Sequence, residues 1–203
     1  MAWYSWFSSF YDQALEGLYA PFREQAYAQI RPGARDALLL PCGTGQDLPP
    51  LIPRLAPGAR LTCMDLDGGM IAKARARATQ FERCALEFVE GEAASLGQHF
   101  DQNSLDLVVF PLGLSVIPEP EDTLALAWSR LRPGGQCLIF DCWARERTLA
   151  TWSVELVAQA DVSRTPFKKL EALAQDYEFT LLPEASPWTF GGELYVANAV
   201  KGE

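Results

Sequence analysis

At 203 residues the chain is most simply one domain, long enough to bury a substantial core. Hydrophobic and charged contents of 49% and 21% are ordinary for a globular protein, and the longest apolar stretch, Leu107 to Pro118, is too short and too rich in Gly and Pro to span a bilayer. Lys and Arg number 17 against 26 Asp and Glu, so the net charge is −9, which argues against the basic patches that broad nucleic-acid binding requires.

In chain order, residues 3–30 read as two aromatic-rich helices, about 5–19 and about 22–30, broken at Pro21 and ended by Arg31-Pro-Gly33. A strand over 37–41 leads to a helix within Gln46–Leu55, shortened by Pro49, Pro50 and Pro53, and then to a strand over 60–65. Asp67 suits the N-cap of a helix over Gly68–Gln80, whose apolar stripe is Ile71, Ala74 and Ala78. Strands follow at Leu86–Glu90 and Leu105–Pro111, the second apolar enough to be buried on both faces. A helix over 120–131 stops at Arg-Pro-Gly-Gly135, before a strand over Gln136–Asp141. Helices over 144–160 and Pro166–Gln175 precede strands Glu178–Leu182 and Glu193–Val200, joined by Pro183–Gly192. This alternation predicts a three-layer α/β/α sandwich around a seven-stranded, mainly parallel sheet with a C-terminal antiparallel hairpin.

The segment most telling of function is Ala37-Leu-Leu-Leu-Pro-Cys-Gly-Thr-Gly-Gln-Asp47, an apolar strand running into a glycine turn. A second strand, Leu61-Thr-Cys-Met-Asp65, ends in a carboxylate. Strand, glycine turn, helix, strand, acid is the layout of a nucleotide-binding βαβ unit, in which the acid accepts hydrogen bonds from two ribose hydroxyls. A dinucleotide fingerprint wants a third glycine three residues after the second; that position is Leu48, which speaks against an NAD-dependent oxidoreductase.

Four segments together resemble the class I S-adenosylmethionine-dependent methyltransferases, over roughly residues 10–142. They are Leu38–Asp47, Asp65–Met70 leading into Ala72-Lys-Ala-Arg, Phe88–Ala93 with Ser95-Leu96, and Ser104–Val109 followed by Leu131-Arg-Pro-Gly-Gly135. The resemblance implies a Rossmann-like fold and S-adenosylmethionine as cofactor. It places Cys42, Gly43, Gly45, Asp65, Leu66, Met70, Glu92, Ala93, Phe110 and Pro111 at the cofactor. Asp65 would take the ribose, Met70 the adenine face and Glu92 the adenine amino group; ordinary helix core is the other reading of Met70, and a surface acid that of Glu92. Tyr11 resembles a family tyrosine that reaches the cofactor's carboxylate, with a core aromatic as its alternative. Asp47 either faces the cofactor, caps a helix or is solvated. Where the family carries an acid and a first glycine, this chain has Leu39 and Pro41.

The acceptor pocket is expected between the N-terminal aromatics, the loop after the fourth strand and the end of the fifth. Its candidate liners are Tyr4, Tyr11, Ser115, Asp141, Trp143 and Trp152, with Tyr11, Asp141 and Ser115 the catalytic candidates; a lid packed on itself is the competing reading. Phe-Tyr-Asp12 and Leu114-Ser-Val-Ile-Pro-Glu-Pro resemble the quinone C-methyltransferases and the phospholipid or small-amine N-methyltransferases. A small-molecule or lipid-headgroup acceptor is therefore expected, with N-methylation slightly ahead of C- or O-methylation. A cofactor-binding regulatory protein without catalysis is the alternative. The aromatic N-terminus suits a lid, a peripheral membrane contact or a dimer face.

Five cysteines, an odd number without CxxC spacing, read as buried thiols of a reducing compartment. The single histidine, His99, reads as a surface residue, so no metal site is expected. No signal peptide is visible, and a cytoplasmic protein is the expectation.

Overall fold

The computed structural model describes residues 19–146, 160–182 and 192–202. Tyr4, Tyr11, Trp152 and most of the helix expected over 144–160 lie outside the described residues, as does the Pro183–Gly192 link except for Gly192.

The seven strands are β1 (Ala34–Leu39), β2 (Leu55–Asp65), β3 (Ala85–Glu90), β4 (Leu105–Pro111), β5 (Leu131–Trp143), β6 (Asp176–Leu181) and β7 (Glu193–Val200). They form one sheet in the order β3-β2-β1-β4-β5-β7-β6. Neighbours from β3 to β5 pair in parallel, and β7 is antiparallel to both β5 and β6. The helices are α1, described over 19–27, α2 (Leu48–Leu51), α3 (Gly68–Ala78), α4 (Leu96–His99), α5 (Pro120–Arg130) and α6 (Pro166–Leu173).

Strand side chains alternate between two cores, as the two-residue period requires. Leu39, Cys63, Val109, Leu138 and Val196 point to the face covered by α1, α2 and α3, where they meet Tyr27, Leu51 and Ala74. Leu38, Met64, Val108, Ile139 and Ala197 point to the other face and pack with Leu124 and Trp128 of α5 and Phe167 and Leu170 of α6. The expected three-layer sandwich and mainly parallel sheet are therefore present.

The departures are local. α1 runs across Pro21 and ends at residue 27, instead of beginning at 22 and running to 30. α2 keeps a single turn, prolonged by a 3-10 turn over Ile52–Arg54: Pro49 and Pro50 sit harmlessly in its first turn, but Pro53 has no N–H to continue the ladder. β2 and β5 both start earlier than their apolar runs. In each, a Pro-Gly pair bulges within the strand: pairing jumps from Ala34↔Leu55 to Asp36↔Arg60, and from Leu105↔Leu131 to Leu107↔Gln136. Gly58 and Gly134 take φ of +75° and +78° at these bulges, a conformation natural to glycine. Arg-Pro-Gly-Gly135 thus ends α5 and also begins the next strand.

Three polar contacts fix α1 and the turn after it to this frame. Buried Gln136 of β5 accepts from the Arg31 N–H at 2.9 Å and donates to the Gln29 carbonyl at 2.9 Å. Arg23 donates from Nε to Asp47 at 3.0 Å, with both side chains 8% exposed. Tyr27 lies buried beside this pair; desolvation pushes its hydroxyl pKa up, and Asp47 adds to the shift. Removing one member of a buried ion pair strands the other charge away from water. Arg23→Ala is expected to lower the unfolding free energy by about 3 kcal/mol, read from urea denaturation at unchanged slope.

Candidate functional site

β1 ends against β4, with the Leu40 N–H donating to the Val109 carbonyl at 3.0 Å. The chain then passes a cis Leu40–Pro41 peptide and crosses to β2, where the Cys42 N–H donates to the Met64 carbonyl at 2.8 Å. Gly43 follows at φ +51°, and its N–H donates to Asp65 Oδ2 at 2.8 Å. The other oxygen of the same carboxylate accepts the Asp67 N–H at 3.0 Å. Asp65 therefore joins the glycine turn to the turn that opens α3. Burial pushes its carboxyl pKa up from the ordinary value, against the Asp67 and Gly43 hydrogen bonds that favour the charged form. Asp67 itself caps α3, accepting from the Gly69 and Met70 N–H groups at 2.7 and 3.1 Å, as its sequence position predicts.

A cavity of about 780 Å³ opens above these turns. Leu40, Pro41, Gly43 and Asp65 line it at the ends of β1 and β2. Because β2 and β4 flank β1 on opposite sides, two loops reach the cavity from two directions. Leu66 and Met70 come from one, joined by Glu92 and Ala93 after β3; Val116, Ile117 and Pro118 come from the other. Asp67, Glu119 and Asp122 add carboxylates, and no Lys or Arg is among the described lining residues. The exposed apolar surfaces of Leu66 (67%) and Val116 (38%) both belong to this lining.

Of the expected cofactor residues, Gly43, Asp65, Leu66, Met70, Glu92 and Ala93 come together here. Cys42, Gly45, Phe110 and Pro111 do not line the cavity; all four are buried behind it. Gly45 serves packing. At φ +80°, a Cβ there would lie 3.0 Å from Leu48 and 3.2 Å from the Ala74 backbone, so its missing side chain lets α3 close on the turn. Asp47 is engaged by Arg23 and also stands outside the lining.

Asp141 and Ser115, expected at an acceptor wall, are turned inward. β5 continues to Trp143, so Asp141 is inside a strand and has no exposed surface. Its carboxylate accepts from the Ser115 N–H at 3.0 Å, the Ser115 hydroxyl at 2.9 Å and the Cys142 N–H at 2.8 Å. Burial pushes its pKa up, while these bonds hold the charged form. Trp143 packs edge-on to Phe167 with centroids 5.4 Å apart, and it too is absent from the lining. His99 is exposed at the end of α4. All five thiols are free, and burial pushes that of Cys63 up to about 12, too high for a thiolate nucleophile at neutral pH.

Sequence reasoning missed Glu119, Asp122, Thr123 and Leu126 as lining residues. Their only signal is the position of α5 directly after the β4 loop. It also missed Gly113. A Cβ there would lie 2.0 Å from Pro41 Cδ and 2.5 Å from Cγ, so Gly113 is the notch that receives the Pro41 ring. Pro41 stands where the resemblance leads one to expect glycine, and the glycine facing it stands on the β4 loop.

The chain is similar in sequence and in fold to known methyltransferases. Residues 37–135 match the family model described as a methyltransferase domain. A ubiquinone/menaquinone biosynthesis C-methyltransferase, UbiE of Brucella suis, is 28% identical over 134 residues, covering 64% of this chain and 49% of the relative. The chain thus spans about half the length of the curated relatives it matches. A SAM-dependent methyltransferase from Archaeoglobus fulgidus superposes with a TM-score of 0.73 at 15% identity, covering 99% of this chain and 100% of that one. A phosphoethanolamine N-methyltransferase from Haemonchus contortus, solved with phosphomonomethylethanolamine and S-adenosylhomocysteine, superposes at 0.70 with 16% identity, covering 94% and 56%.

Overpacking a filled site costs about 1–3 kcal/mol. Gly113→Ala is expected near the upper end of that range, because the methyl meets a rigid ring, and chemical denaturation measures it.

Proposed function

We infer that this chain, whose residues 37–135 match the methyltransferase-domain model, is a class I S-adenosylmethionine-dependent enzyme that methylates a small molecule or lipid headgroup. The observation that carries the reading is the Asp65 carboxylate. Each of its oxygens holds one backbone N–H and keeps a lone pair for a ribose hydroxyl at the mouth of a cavity roomy enough for a nucleoside. The donor set fits S-adenosylmethionine: a carboxylate for the diol, Glu92 for the adenine amino group, the Ala93 backbone and the Met70 side chain for the ring. Among the described residues the lining has no basic side chain of the kind that a nucleotide phosphate would call for.

Bound there, S-adenosylmethionine supplies a methyl group already activated on a sulfonium. The protein's own part is alignment and exclusion of water. Asp65 fixes the ribose, Leu66 and Met70 cover one side, and the Val116–Pro118 loop closes the other with apolar surface. Asp141 and Ser115 act behind that loop, holding it to β5. Tyr11 keeps its role at the cofactor's carboxylate as part of the proposal.

The carboxylates of the lining, with no cationic side chain among its described residues, favour an electropositive acceptor, which keeps nitrogen slightly ahead of carbon or oxygen. Carbon methylation of a quinol is the second reading, favoured by the similarity to UbiE over 134 residues. Transfer of labelled methyl to an amine panel or to a quinol panel separates them.

Calorimetry with S-adenosylmethionine tests the first step. Wild type binds, and Asp65→Ala weakens binding at least about 100-fold, since two hydrogen bonds to a charged group are worth about 3–6 kcal/mol. A folded wild type that does not bind would remove the methyltransferase reading. The pH dependence follows from the raised Asp65 pKa. The charged form accepts both hydroxyls, so affinity falls as pH drops through that value, beginning at a higher pH than an exposed aspartate would give. Asp65→Asn flattens this dependence, as binding titrations across acid pH will read.

A further inference from the structure

The β4 loop makes the apolar side of the cavity; Leu112, Leu114 and Ile117 pack it on the two cores, and polar groups brace it further. One brace is Asp141. A second comes from a turn before α6. The Asp161 N–H donates to the Ser115 carbonyl at 2.7 Å, and the Arg164 guanidinium donates to the Ile117 carbonyl at 2.5 Å across 47 positions of sequence. The turn is itself tied: Asp161 accepts from the Ser163 N–H at 3.1 Å and from its hydroxyl at 2.5 Å, and pairs with Arg164 at 3.3 Å. The Arg164 N–H closes the turn on the Asp161 carbonyl at 3.3 Å. Val116, between the two braced carbonyls, stays 38% exposed toward the cavity, with Ile117 and Pro118 beside it.

We propose that Arg164 is a positioning residue for the cofactor site: it sets the Val116–Pro118 wall against the nucleoside by holding the Ile117 carbonyl. A guanidinium suits this task, because its rigid fork serves the carbonyl and the Asp161 carboxylate together. The proposal rests on the cofactor reading above. Arg164 does not line the cavity, so it acts through the loop and touches no reacting atom.

The test compares wild type, Arg164→Ala and Arg164→Lys for binding of S-adenosylmethionine and of 5′-methylthioadenosine, which keeps the nucleoside and sulfur but lacks the amino-acid tail. A wall that acts on the nucleoside predicts that Arg164→Ala weakens both ligands by the same factor, about tenfold. Arg164→Lys, keeping a cationic donor, recovers most of the loss. Thermal melts confirm that each protein is folded at the binding temperature, so a loss of stability is not read as a loss of binding. Should Arg164→Ala not fold, Arg164→Gln replaces it, with the same expectation. Unchanged binding of both ligands by the folded variant overturns the proposal and leaves the cofactor reading standing. Weaker S-adenosylmethionine with unchanged 5′-methylthioadenosine also overturns it, because the effect would then lie at the tail. A wild type that binds neither ligand overturns both readings.

Discussion

The arrangement of the site depends on one carboxylate with two obligations. Asp65 ends β2 in the interior, where a charge is tolerated only if it is hydrogen-bonded. The bonds come from Gly43 and Asp67, the first residues of two different turns. Satisfying the charge therefore fixes the glycine turn and the entry to α3 relative to each other. The same bonds leave the outward lone pairs of the carboxylate for a diol. On the proposed cofactor reading, stability and recognition use the same atoms, so the binding geometry exists before a ligand arrives.

A second organising feature is division of labour between glycines. Gly43 turns the chain at the cavity, Gly45 admits α3, and Gly113 admits the Pro41 ring. Only the first lines the cavity. The turn can therefore carry a proline where a glycine is expected, because room for the ring is found on the next loop.

The frame was largely legible in the sequence for physical reasons. β4 is apolar at nearly every position and β3 follows a capped helix, so their positions follow from local pattern. The place of Asp65 at the end of β2, on the cavity, was legible because an apolar strand stops there at a carboxylate. Contacts between residues far apart in the chain were not. Nothing local marks Asp47 as the partner of Arg23, or Asp141 as the acceptor for Ser115. Arg-Pro-Gly-Gly135 read as a stop because its residues break helices, yet a bulge uses the same residues to carry a strand through a kink. Asp47 and Asp141 were open to solvent or ligand in the sequence because nothing local shows that the fold pairs them.

The position of β7 bears on how the chain is made. Residues 193–200 lie between β5 and β6, so β6 has no neighbour in the sheet until β7 arrives. On the ribosome the parallel half, β1 to β5, can assemble while the rest is still being synthesised. During that interval β5 presents an open, hydrophobic edge. A chaperone that shields strand edges would act on this protein late, between emergence of β5 and emergence of β7, and a stalled ribosome in that window would leave an aggregation-prone half-sheet.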